Sequence, residues 1–106
     1  MYLTKDPLSG VKRLLKEDHP GVRCVSAWVL YCARAIDIKE AIAVQRETLK
    51  GADSWARLRA IGYLGSLGPS AAVALDDLGT LLEDANTEEA IREAAAKALE
   101  RIRKKH

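Results

Sequence analysis

Val22-Arg23-Cys24-Val25-Ser26-Ala27-Trp28-Val29-Leu30 is the stretch that decides the fold, because its skeleton returns twice further along the chain. Val22, Arg23, Ala27 and Leu30 are matched by Ala56, Arg57, Ile61 and Leu64, and again by Ile91, Arg92, Ala96 and Leu99. Arg23 and Arg57 stand 34 residues apart and Arg57 and Arg92 stand 35 apart. In each copy the last Leu follows the residue before the Arg by eight positions. A fixed period of this length marks a repeat architecture.

A second triplet runs ahead of each copy: Leu8, Val11 and Leu15, then Ile42, Gln45 and Leu49, then Leu75, Leu78 and Leu82. Offsets of three and seven draw one stripe on a helix. The two triplets keep the same beat, so each repeat holds two helices, and no segment alternates with period two as a strand would. The expected fold is all-α, six helices in three hairpins, with repeats near 5–36, 37–68 and 69–105.

The punctuation supports that division. Asp6 before Pro7 reads as an N-cap with proline in the first turn, where the missing N–H costs nothing. His19, Pro20 and Gly21 separate the first two helices, and Asp37 with Glu40 reads as a capping box opening the third. The stretch 51–54 makes the next break, Gly68 and Pro69 stop the fourth helix, and Asn86 or Thr87 with the acidic residues behind it starts the sixth.

Leu14-Leu15-Lys16-Glu17-Asp18-His19-Pro20-Gly21-Val22-Arg23 resembles the turn of a HEAT repeat, particularly the short kind found in bilin-lyase-like bacterial proteins. Leu81-Leu82-Glu83-Asp84 with Ile91-Arg92 and 94–99 carries the same resemblance, and Thr48-Leu49-Lys50 with Ala56-Arg57 is its weakest copy. The resemblance implies an armadillo-like, right-handed α-solenoid, an architecture that serves as an interaction scaffold in unrelated settings. It also implies that Arg23, Arg57 and Arg92 form a ladder with turn residues Asp18, Asp53 and Asp84, each link contributing on the order of 1 to 3 kcal/mol as charge-assisted bonds.

A chain of 106 residues is sized for one domain that buries roughly 60 to 70% of its unfolded surface and folds without metals or disulfides. Cys24 and Cys32 lie about 12 Å apart along one helix, too far for a bridge, so reduced thiols and a cytoplasmic setting are expected. No apolar run approaches a membrane span, and Lys5 and Asp6 interrupt any signal-peptide core.

The formal net charge of +2 does not indicate a generally basic, nucleic-acid-coating protein. Residues 70–84 carry Asp76, Asp77, Glu83 and Asp84 with no Lys or Arg. The tail ends Arg101, Arg103, Lys104 and Lys105, which suits the negative end of a helix dipole. Glu88, Glu89, Arg92, Glu93, Lys97, Glu100 and Arg101 give the last helix the polar outside of a terminal cap, with Glu93 placed to pair with Lys97.

No catalytic constellation is expected. His19 sits in a turn and His106 at the end, so neither pairs with a cysteine at metal-ligand spacing, and no metal or cofactor is expected. Asp76 and Asp77 point about 100° apart on a helix, which does not suit a paired acid and base. Gly62, Gly65 and Gly68 fall in or at the end of a helix, where they let a neighbouring backbone approach rather than cradle a phosphate.

The second helix is the exception to the repeat. After its expected core of Val22, Ser26, Ala27, Val29 and Leu30, the inner face is left with Cys24, Val25, Trp28, Tyr31 and Cys32. The same positions of the third copy are Glu93, Ala94, Lys97, Glu100 and Arg101. A helix apolar all round is covered by something. With Leu58, Arg59 and Gly62 of the fourth helix, that face is the candidate partner-binding surface, because Trp, Tyr and Arg anchor interfaces. The competing account has Met1, Tyr2 and Leu3 fold back over Trp28.

The expected function is a non-enzymatic protein-interaction module, with self-association the first candidate and a peptide or helix of another protein the second. Two alternatives stand beside it. Nucleic-acid binding would use Arg23, Arg34, Arg57 and Arg59, as helical-repeat DNA glycosylases use a basic concave face, and would weaken steeply with salt. An accessory role in a lyase-type enzyme is implied by the family resemblance alone.

Overall fold

Cap chemistry divides the chain into its helices. The computed structural model describes residues 8–104, and among them no strand forms. α1 (Ser9–Leu14) is a short helix with no buried residue, on which Leu8, Val11 and Leu15 are only half-buried. Five helices of nine residues or more follow: α2 (Pro20–Cys32), α3 (Ile38–Leu49), α4 (Ser54–Leu67), α5 (Leu75–Glu83) and α6 (Glu89–Arg103). The Asp6–Pro7 cap and the fold-back of Met1, Tyr2 and Leu3 lie outside the described residues.

Three caps accept a backbone N–H that the first turn leaves without a helical partner. His19 opens α2, its Nδ1 accepting from the Gly21 N–H at 3.0 Å. Asp37 opens α3 by accepting from the Glu40 N–H at 2.8 Å, and Asp53 opens α4 by accepting from the Ala56 N–H at 2.9 Å. α4 stops at Gly68, whose φ of 60° and ψ of −142° fall where a side chain is not tolerated. At the end of α2 the left-handed position goes to Arg34 instead, with φ 63°, and the Ala35 N–H closes onto the Leu30 carbonyl at 2.8 Å.

The last two long helices open without a side-chain cap. Residues 70–74 belong to a 3₁₀ segment, Gly68–Ala74, so α5 begins only at Leu75. Neither Asn86 nor Thr87 caps α6: the Asn86 N–H donates to Asp84 Oδ1 at 2.9 Å in a local turn, and the Thr87 side chain is buried with its hydroxyl unpartnered. Glu88 takes the N-cap position without a side-chain bond to the helix.

α2, α4 and α6 touch in succession, and α3 and α5 touch one another alongside them. α3 packs on both α2 and α4, and α5 packs on α6. The Cα trace measures 54 × 33 × 16 Å. The core runs along the seam between the two sets, through Ile42 and Leu49 of α3, Ala60, Ile61 and Leu64 of α4, Leu78 and Leu81 of α5, and Ile91, Ala95, Leu99 and Ile102 of α6. Arg46 Nε lies 2.6 Å from Asp77 Oδ2 and ties α3 to α5, the one ion pair between two of the described residues.

Candidate interaction surface

Cys24 does not belong to an open face. α2 contacts α3 and α4 at once, which widens its buried arc beyond a single stripe, and Cys24 falls at the junction with no exposed surface. Its Sγ–H donates to Gln45 Oε1 at 3.0 Å, and Gln45 Nε2 donates back to the Cys24 carbonyl at 3.0 Å. Gln45 is itself fully buried, so both of its polar ends are answered by one residue of the neighbouring helix. Burial pushes the Cys24 thiol up to about 12, with the Arg59 charge pulling weakly the other way. A thiol held protonated in this manner is not a nucleophile. Val29, expected in the core, is 43% exposed.

Part of the expected surface comes together around an aromatic cluster of Trp28, Tyr31 and Tyr63, of which the sequence reading missed Tyr63. Trp28 stacks on Tyr63 of α4, with ring centroids 4.6 Å apart and planes 9° from parallel, and meets Tyr31 at 5.5 Å. Tyr63 is thus the cover for one side of Trp28. Its hydroxyl is shifted upward, chiefly by burial and next by the nearby Cys24. The spacing Trp55, Arg59, Tyr63 supplied the signal, since residues four apart lie above one another on a helix. The Arg59 guanidinium sits 5.1 Å from the Trp55 ring centroid. Trp55 in turn lies over Gly21, where an added Cβ would come within 2.7 Å of the indole.

Between α4 and α6 the surface opens into a groove of about 480 Å³, floored by Ile61, Gly65 and Ala98 and bordered by Leu58, Gly62, Ala94, Lys97, Glu100 and Arg101. A depression of about 340 Å³ adjoins it and includes Trp28, Arg59, Tyr63 and Ser66, with Leu58, Gly62 and Arg101 common to both. Gly65 faces α6 closely: a Cβ there would stand 3.4 Å from Ala98 Cα and Cβ, in contact with α6, and would make the floor shallower. Gly62 has nothing within 4 Å of that position and leaves open space. Leu58 is 38% exposed beside it. Neither Val25, which borders a separate depression with Trp55 and Leu14, nor Cys32, which is exposed, lines the groove.

Comparison with models of known protein families, with curated proteins and with solved structures finds no match.

The expected Arg–Asp ladder does not form among the described residues. Arg23 Nη1 donates to the Glu17 backbone carbonyl rather than to Asp18. Asp53 is used as the α4 cap, and Asp84 accepts from Asn86. Arg57 has a buried Nε with no partner, and Arg92 is exposed. Local backbone groups reach Asp53 and Asp84 first, and a bond within three residues costs less side-chain entropy than a long Arg pairing. Glu93 and Lys97 make no ion pair either; instead Ser54 Oγ of α4 donates to Glu88 at the start of α6.

No group of three or more His, Cys, Asp or Glu among the described residues could hold a metal ion, and no helix among them is long and apolar enough to cross a membrane.

Proposed function

We propose that this chain is a short, right-handed HEAT-like α-solenoid of three hairpins that acts as a non-enzymatic protein-interaction module. What supports the architecture is the 34- and 35-residue period together with the succession of α2, α4 and α6 along one side. The ladder that such repeats carry is absent here, so the resemblance rests on helix order and period.

The observation that carries the functional reading is the groove between α4 and α6, continuous with the hollow beside Trp28 through Leu58, Gly62 and Arg101. It is concave, apolar at its floor and polar at its rim, the anatomy of a protein-binding patch. Relative to the sequence reading the contact surface shifts by one helix: Cys24 leaves it and Tyr63, Gly65 and Ala98 enter. The nucleic-acid alternative has less behind it, because Arg23 is engaged with a carbonyl, Arg57 is partly buried, and Arg59 alone of the four lines the hollow.

The test uses a photo-crosslinking side chain at Leu58, with Ala85 in the turn before α6 as the control position. Adducts to protein confined to Leu58, and lost with Gly62→Glu while circular dichroism stays unchanged, are the expected result. Adducts equally frequent at both positions, or none in either, would count against the groove as a contact surface.

A further inference from the structure

The rim of the groove carries an excess of positive charge. Arg59, Lys97 and Arg101 border the two adjoining hollows against the single carboxylate of Glu100. Among the described residues none of these three cations has a carboxylate within ion-pair distance. Arg101 lies alongside Gly65, its Cδ 3.7 Å from where a Cβ would be, so the stem covers the floor and the guanidinium is left at the edge. Arg59 rests over the Trp55 ring, a contact that orients the guanidinium without neutralising it.

The groove follows residues 58–65 of α4 and 94–101 of α6, a run of about 12 Å and roughly two helical turns, and its floor of Ile61, Gly65 and Ala98 takes large apolar side chains. Resting on the interaction-module reading above, we propose that the occupant is an amphipathic helical segment of another protein, with apolar anchors at i, i+3/i+4 and i+7 and acidic residues on both flanks of that stripe. The helix-in-groove mode supplies the anchors, and the uncompensated arginines and lysine select the acidic flanks.

A second copy of the chain is the poorer fit for two reasons on the surface itself. Face to face, Arg59, Lys97 and Arg101 would meet their own counterparts, a repulsion that specific interfaces avoid. Head to tail, the acidic α5 would have to supply the anchors, but Leu78 and Leu81 are buried and Leu75 and Leu82 are packed against the core.

The test is titration of the whole chain against a synthetic amphipathic helix of about 15 residues carrying Leu on one stripe and Glu on both flanks, a twin with Lys for Glu, and a single-stranded DNA oligonucleotide. The expected result is that the Glu peptide binds at least ~10-fold tighter than the Lys twin, that Arg59→Glu with Arg101→Glu reverses the order, and that Gly62→Leu weakens binding by filling open space. All three positions are exposed, and circular dichroism checks that each variant stays helical.

Equal binding of both peptides would overturn the acidic partner and leave the interaction-module reading standing. So would failure of both peptides alongside a concentration-dependent dimer broken by Leu58→Glu, which would make the occupant a second copy. Glu-peptide binding untouched by Gly62→Leu and by the double arginine variant would place the contact elsewhere and refute the proposal. Tight, steeply salt-dependent DNA binding with no peptide binding would refute both readings.

Discussion

Raising the pH should unlock the junction of α2, α3 and α4 through one thiol. Cys24 has no exposed surface and donates its S–H in a hydrogen bond to Gln45 Oε1 at 3.0 Å, with the Ala56 carbonyl at 3.8 Å as the next oxygen. Its folded pKa stands at about 12 against 9.0 for an unburied thiol. Because the folded value is the higher one, the stabilisation is complete below the unfolded pKa and is lost as pH climbs towards the folded pKa. Between those limits the unfolded chain ionises first, and the loss runs at about 1.4 kcal/mol per pH unit. Relative to pH 8, roughly 2 kcal/mol should be gone by pH 10.5. The comparison is with Cys24→Ala, which keeps the same lysines and tyrosines, both proteins carrying Cys32→Ser so that no exposed thiol oxidises. Urea midpoints followed by circular dichroism at pH 8, 9.5 and 10.5 give the two stabilities. The difference between the chains should shrink by that amount across the series. A difference that stays constant would mean that Cys24 ionises equally easily folded and unfolded, and the sealed junction would be wrong.

Four further outcomes follow from single contacts. Gln45→Ala removes the partner of both Cys24 groups and opens a cavity, and should cost about 3 kcal/mol in urea unfolding. Arg34→Gly relieves a left-handed residue at the end of α2 and should add about 1 kcal/mol, whereas Ala33→Gly beside it should add nothing; equal effects would remove the strain argument. Gly62→Ala should stabilise α4 by about 0.8 kcal/mol, read as a higher Tm, since its Cβ meets open space. With a thiol reagent under native conditions Cys32 should react fully and Cys24 only after denaturant is added.

Period and stripe made the all-helical character legible from the sequence. Ile42, Gln45 and Leu49 are all buried, as are Ala27 and Leu30, Ala56, Ile61 and Leu64, and Ile91 and Leu99. What the alignment of copies concealed is that equivalent positions have unequal neighbours. Ala96, matched to Ala27 and Ile61, is exposed while Ala95 and Ala98 are buried, because α6 meets α4 across Gly65 and turns its Ala98 edge inward. A single-stripe argument turns Cys24 outward, and it fails for a helix held by α1, α3 and α4 together. The ladder fails for a different reason, since Asp53 and Asp84 are claimed by nearby N–H groups and Arg23 by the Glu17 carbonyl. The i, i+4 spacing places Tyr63 in line with Trp55 and Arg59, but its stacking on Trp28 and the α4–α6 groove depend on how helices cross, which spacing within one helix does not encode.

The Gln45 amide has a consequence for how the chain avoids pairing with itself in the wrong order. Repetition makes α3 and α5 near-equivalents, and a folding chain has two similar surfaces on which α2 could settle. At the place where α3 offers Gln45, α5 offers Leu78. Docked against α5, the Cys24 thiol would face hydrocarbon and its carbonyl would lose a second donor, while Gln45 would be left with both polar ends unanswered in its own core. Each orphaned group costs about 1 to 3 kcal/mol, a penalty that only the misassembled chain incurs. A polar residue in the middle of an apolar stripe thus acts as an address, distinguishing one copy of a repeated sequence from another.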